Sequence, residues 1–305
     1  MLFSSKERRF TKLQRQEAIT GYTFLLPNFI GFLIFTAIPI VLGFIISFTN
    51  YTGFPGASFV GFENYSKLFR DSQFKAALIN NLIYSAVSVP LTVVIALAMA
   101  LLLNKPIFLG EFFKTVYFFP NLTSMVAIGA VAMMLFEPVN GPINSLLRSI
   151  NIPENNIPQW FYSTSSALAT VIIVVVWKQV GYYMIMFLAG LKNIPAHLYD
   201  AAKIDGANSW QLFWNVTFPM LSPTTFMVTI LTFIGSFQVF DIINVTTQGG
   251  PGRSTSVLVF RIYTEAFSNW KMGYGSAMAY FLFLIIFIIS LFQWKIQKNW
   301  VVADY

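Results

Sequence analysis

The chain has 305 residues, 56% of them apolar and only 10% charged, with a formal net charge of +7, one histidine and no cysteine. A charged share of about two-fifths the usual value excludes an ordinary soluble domain. Without cysteine there are no disulfides, thiolate nucleophiles or cysteine metal sites, and the lone His197 has no partners with which to hold a metal.

Six runs are long enough to cross a bilayer as helices, at about 22–48, 80–104, 112–136, 164–190, 218–241 and 272–294. No alternating barrel pattern is present, and backbone groups in lipid need internal partners, so the expected fold is an all-α membrane protein with six transmembrane helices. Lys6, Arg8, Arg9, Lys12 and Arg15 precede the first run. That run is too long for a signal peptide core and no small-x-small cleavage site follows, so it is expected to stay as an anchor. Residues 1–21 then read as a cytoplasmic segment, 22–297 as one membrane domain and 298–305 as a cytoplasmic tail. With the N-terminus inside, eleven Lys and Arg fall on the cytoplasmic side against seven outside, and the inside loops are much shorter. Both termini are therefore expected in the cytoplasm of a multi-pass cell-membrane protein. The same asymmetry explains the basic charge, so nucleic-acid binding is not implied.

The first outward segment, about 49–79, opens with turn-rich Asn50-Tyr51-Thr52-Gly53-Phe54-Pro55-Gly56, and its pattern predicts a helix from about Asn64 to Ala77. The second, about 137–163, is rich in Pro and Asn and ends in Trp160-Phe161-Tyr162, aromatics suited to the membrane boundary. In the fourth run Lys178 and Gln179 follow Ala169–Trp177, with Tyr182 and Tyr183 one turn later. A lysine at the centre of a span costs about 2.5–3.5 kcal/mol, so it should face a cavity or a partner. The candidate acid is Asp241, at the end of the fifth run. Gln179, Tyr182 and Tyr183 carry amide and phenol groups able to hydrogen-bond a polar solute if this face lines a path across the membrane. Lys178 fits that path equally with snorkelling or pairing across a subunit interface.

Between the fourth and fifth runs lies Leu198-Tyr199-Asp200-Ala201-Ala202-Lys203-Ile204-Asp205-Gly206-Ala207, followed by Val216-Thr217-Phe218-Pro219. Pro195 suits a helix start. A short helix is predicted over about Ala196–Ile204, ended by Gly206 in the left-handed conformation. Ala201 and Ala202 keep one face small, and Asp200 and Asp205 offer charge to a basic or backbone-donor partner. In the fifth run Thr225, Thr229, Thr232 and Ser236 share one helix face, with Gly235 and Gln238 nearby. Such hydroxyl stripes are the usual glue of membrane helix packing. Prolines 27, 39, 90, 120, 219 and 223 sit in or beside the runs and carry no functional conclusion.

The loop at about 195–217 resembles the EAA loop of ABC-importer permeases, with Asp200 where the family most often has glutamate, then Ala201, Ala202, Gly206, Val216, Phe218 and Pro219. Gly249-Gly250-Pro251-Gly252-Arg253-Ser254-Thr255 and Val60-Gly61-Phe62-Glu63-Asn64-Tyr65 look like outer-loop motifs of the carbohydrate-importing members, extending the resemblance over about 22–295. It implies the ABC type I importer permease fold, a second related permease subunit and two ATPase subunits. An extracytoplasmic solute-binding protein and a carbohydrate substrate complete the implied system. It also implies that Asp200, Ala201, Ala202, Asp205, Gly206 and Ala207 engage an ATPase, which holds ATP and Mg. Thr232, Ser236, Gln238, Gln179, Tyr182 and Tyr183 would line the substrate path, with Lys178 and Asp241 as charges in the cavity or interface. Where the maltose-importer relatives have asparagines on the fifth span, Ser236 and Val239 stand here. No phosphate-binding glycine loop or protease motif occurs, so no cofactor and no catalytic residue is expected in this chain. The alternatives are an ABC permease for a polyol or glycerophosphate, or an ion-coupled secondary transporter. The latter would predict discontinuous helices or paired intramembrane acids, and no acid lies at the centre of any run.

Overall fold

The computed structural model describes residues 11–297, so the predicted tail at 298–305 and Lys6, Arg8 and Arg9 lie outside the described residues. Helix α1 (Lys12–Phe32) continues through a π-helical turn (Leu33–Ala37) into α2 (Ile38–Ile46). The wide turn precedes Pro39, whose missing N–H leaves a carbonyl of the preceding turn without its usual donor. The first helix thus begins about ten residues before the apolar run. Only its far end meets the bundle, where the Tyr280 hydroxyl donates to the Ile40 carbonyl and its ring packs on Phe44 at 5.1 Å.

The helix predicted over Asn64–Ala77 is two helices, α3 (Glu63–Leu68) and the start of α4 (Ser72–Leu103). Asp71 separates them, because its carboxylate accepts the Gln73 N–H at 2.8 Å and caps α4. Down α4, Ala77, Asn81, Ser85, Ser88, Thr92, Ala96 and Ala100 recur in steps of three and four, all buried. Small residues at that spacing let α8 (Ala167–Lys192) and α12 (Ser222–Phe237) approach closely.

The predicted third span is not one helix. It is α5 (Gly110–Leu122) and α6 (Met125–Leu135), bent by 101° at Thr123 and Ser124, whose backbones are extended. By length and hydropathy the two halves pass together as one span, so a hydropathy run does not reveal the bend. Among the described residues five helices are long and apolar enough to cross a membrane, and the bent pair makes six if counted as one span.

The connection after α6 holds α7 (Pro142–Ser149), tied back by Arg148 and Asn144 to the Pro138 carbonyl at 3.2 and 2.9 Å, and Trp160 donates to Asn144 at 2.6 Å. After α8 come α9 (Ala196–Ile204), α10 (Ser209–Leu212) and, past a π-helical turn (Phe213–Thr217), α11 (Phe218–Met220) leading into α12. The fifth span breaks at Gln238–Phe240 before α13 (Asp241–Thr246), and α14 (Leu258–Tyr263) precedes the last span, α15 (Met272–Gln297). Three apolar cores hold the bundle: one around Tyr84, Val171 and Ile242, one around Ala96, Phe187 and Leu221 beside α9, and one around Leu68, Phe237 and Met278.

At the end of α4 away from α9, polar groups join distant segments. Asn81 donates to the Ser236 carbonyl at 3.3 Å and accepts the Leu258 N–H at 3.2 Å, while Asn80 holds the carbonyls of Arg253 and Ser256 at 2.7 and 2.9 Å. Arg261 pairs with the buried Glu265 and lies 4.0 Å from Asp71; Lys271 is 3.7 Å from Glu265, and the Tyr274 hydroxyl donates to Asp71 at 2.9 Å. Partial burial alone raises the Asp71 pKa. The bond from Tyr274, the N–H groups at the start of α4 and the Arg261 charge outweigh it and hold the pKa below the ordinary 3.8. A lowered carboxylate pKa stabilises the fold above the unfolded value and loses that contribution as pH falls through the folded value. The thermal midpoint of the wild type is therefore expected to fall more steeply below about pH 4 than that of Asp71→Asn, with no difference in slope between about pH 5 and 7.

Candidate functional site

Helix α9 has the predicted boundaries, with Pro195 at its N-cap. Its end is a Schellman motif: Gly206 has φ +82°, its N–H donates to the Lys203 carbonyl at 3.0 Å, and the Ala207 N–H donates to Ala202 at 2.9 Å. The next helix opens on a capping box between Asn208 and Gln211, with bonds of 2.9 and 3.0 Å. The loop is thus ordered by its own sequence on both sides of Gly206. Leu198 and Tyr199 pack on the core beside α9, and the Tyr199 hydroxyl lies 3.1 Å from that of Thr217, at the foot of the fifth span.

Asp200, Ala201, Asp205 and Gly206 are exposed, whereas Ala202 and Ala207 turn partly inward. The two adjacent alanines therefore do not share a face, since neighbouring helical residues point about 100° apart. Asp200 lies 3.7 Å from Lys203, an exposed pair of little energetic weight. Sequence reading missed Ile204, which is 86% exposed, and Trp210, 70% exposed. An apolar residue directly before an Asp-Gly turn in a polar loop has no core to fill, and that was the available signal.

On α8, Gln179 is half-buried, Tyr182 is exposed and Tyr183 is buried behind it, with the two rings 5.1 Å apart and nearly perpendicular. On α12 and just beyond it, Gly235 and Gln238 are exposed, and nothing stands within 4 Å of where a side chain on Gly235 would begin. Thr232 and Ser236, in contrast, are buried. The Thr232 hydroxyl donates to the carbonyls of Val228 and Thr229 at 2.8 and 3.0 Å, and Ser236 donates to Ser85 on α4 and to the Phe233 carbonyl, both at 2.7 Å. In this structure those hydroxyls bond within the helix packing rather than facing an open path.

Lys178 and Asp241 are not brought together. Asp241 is exposed in the first turn of α13, and among the described residues no ion pair includes Lys178. Lys178 is buried and donates to the Asn121 backbone carbonyl at 3.0 Å, at the broken end of α5. That carbonyl is one of the last four of its helix and lacks an intrahelical donor.

The family described as binding-protein-dependent transport system inner membrane component matches residues 88–300. "Probable ABC transporter permease protein YurN" of Bacillus subtilis is 35% identical over 93% of this chain and 98% of its own. "Probable starch degradation products transport system permease protein AmyD" of Thermoanaerobacterium thermosulfurigenes is 31% identical over 95% and 96%. Among solved structures, a bacterial alginate ABC transporter in complex with an alginate pentasaccharide-bound periplasmic protein superposes with a TM-score of 0.83 at 23% identity, covering 95% of this chain and 98% of that one. This last likeness bears on the fold.

Proposed function

Since the chain belongs to the family of binding-protein-dependent transport system inner membrane components, a multi-pass permease subunit distinct from the ATPase, we propose that it forms the path of an ATP-driven importer for a sugar or oligosaccharide. The observation that carries the coupling part is α9, an ordered helix presenting Asp200, Ala201, Ile204, Asp205 and an open Gly206 away from the bundle. Ile204 is the apolar anchor for a cleft in the ATPase, and the flanking acids choose its polar rim. ATP and Mg sit on two such ATPase subunits. Both termini and α9 face the cytoplasm, by the lysine and arginine asymmetry.

Motion of α9 has short routes into the bundle, through the end of α8 and through the Tyr199–Thr217 contact into the fifth span. Gln179, Tyr182 and Gln238 meet the solute there, and Thr232 and Ser236 set the packing behind them. A second permease subunit covers the first span: none of its apolar window is buried, against 61% in α8, and Asn28 stands exposed within it. A solute-binding protein delivers the sugar on the side opposite α9. The sugar assignment is supported by relatives named for sugar transport.

The test is uptake of a labelled oligosaccharide series into proteoliposomes holding both permeases and the ATPases, with the binding protein outside. ATP-dependent uptake of at least one sugar is expected. ATP-dependent uptake of a polyol or glycerophosphate alone would replace the sugar reading, and uptake driven by an ion gradient without ATPase would end the importer reading.

A further inference from the structure

The two halves of the bent third span belong to different neighbours. Helix α5 lies along α8 so closely that a side chain on Gly181 would begin 1.9 Å from the Tyr117 carbonyl oxygen. Helix α6 instead packs on α13, with Gly129 against Ile242, Val245 and Thr246. The donor that would continue the ladder from Asn121 is the N–H of Met125, four residues on and already in α6. Lys178 takes that place from α8, at 3.0 Å. With no acid paired to it, its counter-charge is the negative end of the α5 dipole. A methionine would fill the same space without a buried charge, so what the lysine adds is a bond across the break. Beside the joint an open groove of about 520 Å³, lined by Phe119, Thr123, Val131, Ile173 and Trp177 among others, gives the halves room to change their angle.

We propose that Lys178 is a latch fixing the carboxyl end of α5 to α8, so that the third span bends at Thr123–Ser124 when α8 moves, and that transport requires this latch. The proposal rests on the transport reading above. Helix α8 runs directly into α9 through Asn193–Pro195, so a pull on α9 carries Lys178 and the end of α5 with it, while α6 stays with α13. Lys178 is a positioning residue: it touches a backbone carbonyl and not the solute.

The experiment compares wild type, Lys178→Arg and Lys178→Met in the full transporter in proteoliposomes, measuring sugar uptake and ATP consumed per sugar. Lys178→Met is expected to keep its ATPase on purification yet lose about tenfold in uptake and use more ATP per sugar. Lys178→Arg, which keeps charge and donors, should stay within about threefold of wild type. Because the chain has no cysteine, spin labels at Phe119→Cys and Val131→Cys, two exposed positions on opposite sides of the joint, report its angle once accessible cysteines of the partner subunits are replaced. The distance should change with nucleotide in wild type and Lys178→Arg, and broaden without responding in Lys178→Met. Wild-type coupling and spacing in Lys178→Met would overturn the proposal, as would equal loss in Arg and Met. If Lys178→Met does not assemble, the same readouts are taken on Lys178→Leu, which likewise has no donor, and unchanged coupling there overturns it too. Absence of uptake by wild type would instead count against the transport reading.

Discussion

Gly206→Pro is expected to strip the ATPase from the purified transporter while the permease itself stays folded. Proline fixes φ near −65°, whereas Gly206 stands at +82°, and proline also removes the N–H that bonds the Lys203 carbonyl. Both bonds of the Schellman motif then fail, and Ile204, Asp205 and the capping box beyond lose their common geometry. A helix end at the centre of a contact is the place where a loss of about 2–3 kcal/mol falls, a weakening of roughly 30- to 150-fold. Crowding is not the cause, because a side chain begun at Gly206 meets nothing within 4 Å. Gly206→Asn, which tolerates the left-handed region, should hold the ATPase within about threefold of wild type. Co-purification and titration of ATPase onto detergent-solubilised variants separate the two outcomes.

The second large effect is on the bundle itself. At Gly181 an added Cβ would lie 1.9 Å from the Tyr117 oxygen, 2.5 Å from its carbonyl carbon and 2.9 Å from the Phe118 nitrogen. All three are backbone atoms, so no rotamer change relieves the clash and α5 must move away from α8. Gly181→Ala should destabilise by about 3 kcal/mol, the upper part of the overpacking range. That corresponds to a fall of roughly 5–10 °C in thermal midpoint. Gly235→Ala, on an open face of α12, should change the midpoint by less than about 2 °C, which makes it the control. The measurement is thermal unfolding in detergent, followed by near-ultraviolet signals from the seven tryptophans.

What the sequence made legible was local. Pro195 and Gly206 bracket α9 by their own backbone preferences, so its span could be read as about Ala196–Ile204, where the structure has it; which of its residues stand open could not, since Ala202 and Ala207 turn partly inward. Where the outcome depended on contacts made from afar, reading failed. The bend at Thr123–Ser124 falls in a stretch that length and hydropathy count as one span, and the Pro120-Asn121-Leu122-Thr123-Ser124 segment alone does not distinguish a kink from an elbow. Lys178 was expected to face a cavity or a partner; the structure places it on a carbonyl 57 residues earlier in the chain, and main-chain acceptors leave no trace in side-chain patterns. Asp71, Arg261, Glu265 and Lys271 read as scattered loop charges because the fold alone gathers them. The threonine stripe was ambiguous for a physical reason too. A hydroxyl that lines a path and one that bonds a helix carbonyl obey the same spacing, and here Thr232 and Ser236 do the second.

The central claim is that α9 seats in an ATPase, and it is tested most directly by cross-linking from Ala201→Cys, the sole cysteine in the chain and exposed on that helix. A short thiol-linked photo-cross-linker on the assembled transporter is predicted to form an adduct with the ATPase, with a yield that changes between ATP-bound and nucleotide-free states. A fully labelled cysteine that cross-links only to lipid or to the second permease, in a complex that still hydrolyses ATP, would contradict the claim.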